Sequence, residues 1–559
     1  MRRSLEGERT GLAERALVAI LVLAIAAGIF LRFHGLADRS LGHPENNVPG
    51  LALPGWAIQP TPRHDVVSVL RAVVRDGHPP AWFVGMLAWN KAFGTGLATI
   101  RLPSAILGFL SLLLLHRIAL RLVDRRTALI AVALLALAGH HVFWNQVARM
   151  YSAAAFLGLL STWLLLRLVE RPGTSRGWLY LLVTVLGLWT HHFIWPLVCA
   201  QGLWAAGRSG PHGEPSPVLR WQLRAVILGA PVIALAFYQH PATRWHESAA
   251  EYFDLGYAFF HKARFHGTAP EPLVPKLAVR VATLVLLALG CLAARRGGAR
   301  GPAAGEDRRG PGTSLTWALG LVATGSIAAF ALVVPPRGHA YHWSLLPFVA
   351  IPLALAAGAR PLEGIATRAG GGLARILPGL HILLALLPFA LVFAVSQARG
   401  ILVARGTIVF LPYLLLAVAA GLGPLWRVGS AGPVALAALL AVQISSLRYH
   451  GAAEVSRWDH AGLAAAMAAE VRADDLVLVR NDWIYAPLWY HTTVEPERFR
   501  WREWSAAVAV EPTKRVWVVE YDDGSESPLA RHVEGYRRVK TVEAHAARAH
   551  LFEPPPVTQ

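Results

Sequence analysis

The sequence predicts an α-helical polytopic membrane protein of about 13 transmembrane helices, followed by a small extracytoplasmic C-terminal α/β domain. Three observations carry this prediction. Of 559 residues, 55% are hydrophobic and 16% charged, well below the ~25% charge of ordinary soluble domains. Apolar runs near the ~20-residue length that crosses a bilayer recur from Leu17 to Gln443, and mean hydropathy is +0.43. From about Tyr449 the pattern changes to shorter helical and strand-like stretches.

The N-terminus, MRRSLEGERTGLAER, precedes an apolar run from Ala16. No small-residue cleavage site follows and many further spans do, so it is expected to remain as an uncleaved first helix over 16–33. Further spans are expected over 102–119, 127–143, 152–169, 178–190, 193–206, 225–239, 277–294, 314–334, 341–358, 376–398, 406–425 and 432–448. Loop charge decides two places. PPAWFVGMLAWNKAF (Pro79–Phe93) is short and opens with two prolines. If it crossed, RLVDRR (Arg121–Arg126) would face outward against the positive-inside rule, so an interfacial helix is expected on the outer side. The run Trp178–Gly207 has basic or polar flanks at both ends and a THHF break at Thr190–Phe193. Flanks on the same side require an even number of crossings, hence two short helices with an outer turn.

The formal net charge is +19. Much of the arginine lies in short loops between apolar runs, which assigns the charge to membrane orientation and anionic lipid rather than to nucleic acid. Cys199 and Cys291 each lie inside an apolar run, so neither a structural disulfide nor a cysteine metal site is expected. The chain divides into a transmembrane domain, 1–448, whose first outer loop is 34–101, and an extracytoplasmic α/β domain, 449–559. In the second, AAMAAEVRADDLVLVRND reads as helix, turn and strand, and KRVWVVEYDDG as another strand.

On this topology nearly every unusual polar residue falls on the outer side. LGHPENNVPG (Leu41–Gly50) and RDGHPPAWF (Arg75–Phe83) share the first loop, and NQVARMYS (Asn145–Ser152) joins the third and fourth spans. THHF forms the hairpin turn, and PPRGHAYHW (Pro335–Trp343) joins the ninth and tenth spans. Taken singly, each has an ordinary reading. His140–His141 and His191–His192 can satisfy interfacial backbone groups, and Arg149 can snorkel. His78-Pro79-Pro80 can fix a turn, and Arg337 can cap a helix. Together, one carboxylate, several histidines and two arginines around a membrane-facing cavity suit a lipid phosphate. Arginine presents fork-shaped donors to phosphate, and histidine donates without a permanent charge. An acid opposite them can take a hydroxyl proton, and stabilising the departing phosphate lowers the barrier further.

RDGHPPAWF, FGTGLATIRLPSAILGFLSLLLLHRIALRL, NQVARMYSAAAFLGLLSTWLLLRL and GLWTHHF follow one another in this order. The series resembles bacterial C-type glycosyltransferases, most nearly the protein O-mannosyltransferase-like family that also includes the lipid A aminoarabinose transferase. The resemblance is strong over about Arg32–Ala206. RGHAYHWSLLPFVAIPLALAAG (Arg337–Gly358) looks like that family's later Arg-plus-LLP helix start, and the tail after Trp458 like its extracytoplasmic domain.

The resemblance implies a multi-spanning plasma (inner) membrane protein with its active site and C-terminal domain on the periplasmic side. It implies a glycosyltransferase that moves a sugar from a polyprenyl-phosphate-linked co-substrate to a hydroxyl or phosphate on a protein, lipid or glycan. No nucleic acid partner, no tightly bound cofactor and no divalent metal are expected. His78, Pro79 and Pro80 match the family's His-Pro-Pro, Arg149 and Tyr151 its Arg-x-Tyr, His191 its Thr-His, and Arg337 the Arg before its LLP helix. His192 and His339, beside matched positions, join them as candidate donor-phosphate ligands. Where many relatives carry an Asp-Glu pair that supplies the catalytic base, this chain has Pro44–Glu45. Glu45, oriented by His43 and Asn46, is the first candidate for that base and Asp76 the next; Asp65 and the more distant Asp254 remain open. Two other readings stand beside this one. A transporter or flippase usually shows mid-span ionisable residues and paired halves, which this sequence does not. A non-catalytic family member is suggested by the incomplete acid pair.

Overall fold

The computed structural model describes residues 2–51 and 65–206 apart from positions 43, 44, 46 and 77, and parts of 218–232. It further describes 276–297, 379–398, 404–447, most of 459–492, 499–500, 513–521 and 533–556. Helix α1 (Arg2–Phe33) is 32 residues long, about 48 Å at 1.5 Å per residue, against a hydrocarbon layer of ~30 Å. Its apolar part is Glu14–Phe33. Two short helices follow, α2 (Val66–Asp76) and α3 (Ala81–Phe93), the latter over the segment expected to lie at the interface.

Next come α4 (Leu97–Leu122), α5 (Arg125–Leu137), α6 (Gly139–Asn145) and α7 (Tyr151–Glu170). By length and composition, Glu14–Phe33, α4 and α7 can each cross a membrane, and α5 with α6 makes a fourth crossing if taken as one broken span. Further apolar helices complete the described bundle: α8 (Thr174–Leu188), α9 (Ile194–Ala206), α10 (Lys276–Gly297), α11 (Leu380–Ala398), α12 (Leu411–Leu425) and α13 (Ala431–Leu447). The chain is thus a mostly helical membrane protein. The spans expected at 225–239, 314–334 and 341–358 lie wholly or largely outside the described residues.

One expected span differs. The run 127–143 is not continuous: α5 and α6 meet at an angle of 60°. A helix that stops leaves its last carbonyls without intrahelical donors. Arg32, buried at the end of α1, supplies them: Nη1 donates to Ala136 O (2.7 Å) and Nη2 to Leu135 O (3.0 Å). Nη2 also lies 2.8 Å from His141 Nδ1. A cation at a helix C-terminus complements the helix dipole as well as the carbonyls. Gly28 permits the approach, since a Cβ there would lie 2.4 Å from Ala136 O.

Small residues bring other helices together in the same way. A Cβ on Gly290 of α10 would meet Ala417 O at 2.4 Å, and one on Gly421 of α12 would strike the Leu286 carbonyl. Such backbone approach is how apolar helices gain packing energy where lipid tails remove the hydrophobic incentive. A buried polar network ties α7, α8, α9 and α12. Gln201 donates to Ser161 Oγ (2.8 Å) and Thr162 Oγ1 (2.9 Å), and Tyr180 donates to Gln201 (3.1 Å). Tyr413 OH donates to Gly158 O (3.0 Å).

The C-terminal residues form α14 (His460–Ala468), β1 (Leu476–Val479), α15 (Asp482–His491), β2 (Phe499–Arg500), β3 (Val516–Tyr521), β4 (Arg537–Ala544) and β5 (Ala547–Glu553). The sheet order is β2-β1-β3-β5-β4, with β2, β1 and β3 parallel and β5 antiparallel to both β3 and β4. LVLV at β1 is buried on both faces, which explains its unbroken apolar run. Val477 and Val479 pack with Leu463, Met467 and Leu488 of the two helices, whereas Leu476 and Leu478 face Val533.

This unit seats directly on the chain that leaves α1. Ser40 Oγ donates to Asp459 Oδ1 (2.9 Å) and accepts from the Ala461 N–H (2.9 Å). Leu41 N–H donates to His491 Nε2 (3.1 Å), and Tyr490 OH to Thr95 O (3.2 Å). Burial, then the charge of Arg101, pushes His491 from 6.5 down to about 4. A released His491 would bind a proton below 6.5 and the seated one only near 4, so this contribution is complete above 6.5 and is lost as pH falls toward 4. Protection of the Leu41 amide from exchange, relative to its intrinsic rate at each pH, is expected to fall over that range, and His491→Gln to flatten the profile.

Candidate active site

The chain after α1 folds tightly because Arg101, in the first turn of α4, gathers its carbonyls. Nη1 donates to Leu36 O (2.7 Å) and Arg39 O (2.9 Å), and Nη2 to Ser40 O (2.9 Å). The same guanidinium forks onto Glu45: Nε to Oε1 at 2.8 Å and Nη2 to Oε2 at 2.6 Å. Backbone N–H groups fill the remaining positions, Ala148 donating to Oε1 (2.9 Å) and Gly42 to Oε2 (3.0 Å). Burial works against the charge on Glu45, but Arg101 and the two N–H donors outweigh it and hold the carboxylate below its ordinary range. All four lone-pair directions of Glu45 are therefore occupied, and in this arrangement none is left for the proton of an incoming hydroxyl. The sequence expectation had this acid free to act as base.

What Glu45 does hold is the turn between α6 and α7. Its partner Ala148 is adjacent to Arg149, which is itself buried. Arg149 Nε and Nη1 are enclosed with no hydrogen-bond partner among the described residues. The guanidinium lies 5.6 Å from the Phe83 ring, and Ser104 Oγ donates to its backbone carbonyl (3.4 Å). Gln146 staples this turn to the end of α1, donating to Leu31 O and His34 O (each 2.7 Å) and accepting from Arg39 (3.0 Å).

Aromatic and imidazole rings line up beside Arg149. Tyr151, at the start of α7, is buried with its ring 4.4 Å from Trp144 and 5.5 Å from His191. His78 lies 6.1 Å from His191 on the other side. The His-Pro-Pro turn is tied to the α8–α9 turn by the Ala81 N–H, which donates to Trp189 O (2.9 Å). His191 Nδ1 accepts the Phe193 N–H (3.1 Å), which assigns the proton of the neutral ring to Nε2 and makes that atom a donor. Burial, followed by the charges of His192, Arg405 and Arg149, holds His191 well below its ordinary value and hence neutral. His192 is half-buried in the same turn.

The structure thus brings His78, Arg149, Tyr151, His191 and His192 to one place, with Glu45 behind them. Asp65 is not among them: it is exposed and caps α2, accepting the Ser68 N–H at Oδ1 (2.8 Å). Asp76 closes α2, two residues before His78. Arg337, His339 and Asp254 lie outside the described residues, as do the side chains of His43 and Asn46. Sequence reasoning missed Arg101, Arg39 and Arg32, whose positions at span boundaries look like ordinary flanking charges, and Arg405, ahead of α12. Arg32, Arg39, Arg101 and Arg149 are all buried at this end of the bundle, and Glu45 is the single buried carboxylate there among the described residues. Among the described residues no three His, Cys, Asp or Glu side chains are grouped as metal ligands would be.

A family model described as dolichyl-phosphate-mannose-protein mannosyltransferase matches residues 77–234, the stretch that holds His78, Arg149, Tyr151 and His191. Over that stretch the chain is similar to this family of membrane glycosyltransferases. It is similar to the structure of ArnT from Cupriavidus metallidurans in the apo state at 15% identity, over 96% of this chain and 98% of that one, with a TM-score of 0.42. For the same protein bound to undecaprenyl phosphate the values are 13%, 95%, 98% and 0.40. An oligosaccharyltransferase from Archaeoglobus fulgidus, tethered with an acceptor peptide, is similar at 12% identity over 85% of this chain and 63% of that one, with a TM-score of 0.36. Likenesses this distant assign no residue a role. No curated protein sequence matches the chain.

Proposed function

We propose that the protein transfers a sugar from a polyprenyl-phosphate donor to a hydroxyl or phosphate acceptor at the extracytoplasmic face of the inner membrane. The observation that carries this reading is the excess of buried positive charge: Arg32, Arg39, Arg101 and Arg149 are buried at the end of the bundle that holds one buried carboxylate, and that carboxylate is committed to Arg101. A buried cation without a counter-charge is costly unless an anion arrives to meet it, and a phosphate fits the fork of Arg149. In the reaction the bond between the anomeric carbon and the donor phosphate oxygen breaks, its electron pair staying on the phosphate. Arg149 and the Nε2–H of His191 stabilise that charge as it develops. The acceptor oxygen forms the new bond to the anomeric carbon, and its proton passes to Asp76. Tyr151 and His78 hold the donor, with His192, Arg337 and His339 as further ligands of its phosphate. Glu45 acts by position, fixing the turn that presents Arg149.

The test is binding of undecaprenyl phosphate to the full chain in nanodiscs, alongside transfer from a panel of labelled polyprenyl-phosphate sugars. Losing two charged hydrogen bonds corresponds to about a hundredfold weaker binding, so Arg149→Gln is expected to show that loss, and transfer to fall with it. Unchanged binding in Arg149→Gln would sink the reading.

A further inference from the structure

The proposed phosphate site leaves one neighbouring cation unexplained. Arg405 lies in a 3-10 turn, Ala404–Val409, that precedes α12. It is exposed and forms no ion pair among the described residues. The turn is not loosely placed. A Cβ at position 406 would lie 2.2 Å from the Phe193 ring, closer than any side chain allows, so only a glycine lets the turn rest there. Phe193 in turn stacks on Phe410 with ring centroids 6.0 Å apart and planes within 2° of parallel. Phe193 is two residues from His191, and their rings meet edge to face at 5.3 Å. Gly406 and Phe410 thus hold the turn against the histidine that the donor phosphate is proposed to meet, and the Arg405 charge acts on that ring together with the charge of Arg149.

The turn of Arg405 packs on Phe193 and the turn of Arg149 leads into Tyr151, two rings that both lie beside His191, and an anion between two guanidiniums so placed offsets their repulsion. Glu45 is taken by Arg101 and does not serve that purpose. We propose that Arg405 is a second binding group for the phosphate of the polyprenyl donor, taking from the open side an oxygen that Arg149 does not hold. This rests on the lipid-phosphate reading of the site. The two arginines divide the task by burial. Arg405 meets the headgroup where it is still hydrated, and Arg149 receives it where water is excluded and the fork is worth more.

The experiment compares Arg405→Gln, Arg405→Lys and Arg149→Gln in the full chain in nanodiscs, titrated with undecaprenyl phosphate and with undecaprenol, which lacks the charge. Arg405→Gln is expected to weaken undecaprenyl phosphate binding about tenfold, the loss of one charged hydrogen bond. It is expected to leave undecaprenol binding and melting temperature unchanged, and to flatten the salt dependence. Arg405→Lys is expected to retain more affinity than the glutamine variant. If Arg405→Gln binds as the native protein does while Arg149→Gln is weakened, the role of Arg405 is refuted and the phosphate site stands. If neither variant is weakened, the phosphate site itself is refuted. Equal loss of undecaprenol and undecaprenyl phosphate in Arg405→Gln would also overturn the inference, since it would show packing rather than charge recognition.

Discussion

Replacing Glu45 by glutamine is expected to cost about 3–5 kcal/mol of stability, because it leaves the Arg101 guanidinium buried without its counter-charge. The amide keeps one acceptor oxygen and turns an NH2 toward donors, so at least one of the Arg101 Nη2 and Gly42 N–H bonds to Oε2 is lost. Thermal unfolding of the purified protein measures the effect. Glu45→Leu combined with Arg101→Met is expected to recover only part of it, because Arg101 also serves the carbonyls of Leu36, Arg39 and Ser40. The pH dependence has a definite sign. The carboxylate titrates below its ordinary 4.5, so its contribution is complete above that pH and is lost as pH falls through the lower folded value. A Glu45→Gln protein of native stability that has lost transfer would instead return the base to Glu45.

Asp76→Asn is expected to lower transfer by about 10²–10⁴-fold, the usual contribution of a positioned general base, while undecaprenyl phosphate binding holds. Asp65 is the control. Asparagine caps a helix about as well as aspartate, so Asp65→Asn is expected to leave both transfer and stability near native levels. Equal losses in the two variants would mean that α2 as a whole matters and that Asp76 carries no proton.

Legibility in the sequence followed the range of each interaction. The α8–α9 hairpin with its turn at THHF was visible because both its signals, the polar break and the charge of its flanks, are local. The motifs that hold His78, Tyr151 and His191 are local as well, and their rings each lie within 6.1 Å of the next, His78 to His191 and His191 to Tyr151. The α5–α6 bend was not, because no proline marks it. What ends the helix is Arg32, more than one hundred residues away. The state of Glu45 was hidden likewise. Its neighbours in sequence suggest a free acid in a turn, whereas its partner is Arg101, 56 residues on, at a position that resembles a flanking charge of the next span. Arg405 carried no signal beyond a lone cation ahead of an apolar helix, and its place depends on a glycine fitting under Phe193.

The seating of the C-terminal unit on the segment behind Glu45 bears on how the protein is made. Ser40 and Asp459 are separated by 419 residues, and Leu41 and His491 by 450. The segment after α1 that carries Glu45 thus stays without these hydrogen bonds until nearly the whole chain has left the ribosome. Contacts of this sequence separation form late and slowly. Until then the buried arginines wait with part of their surroundings missing, so the arginine-rich end of the bundle is among the last parts of the molecule to mature.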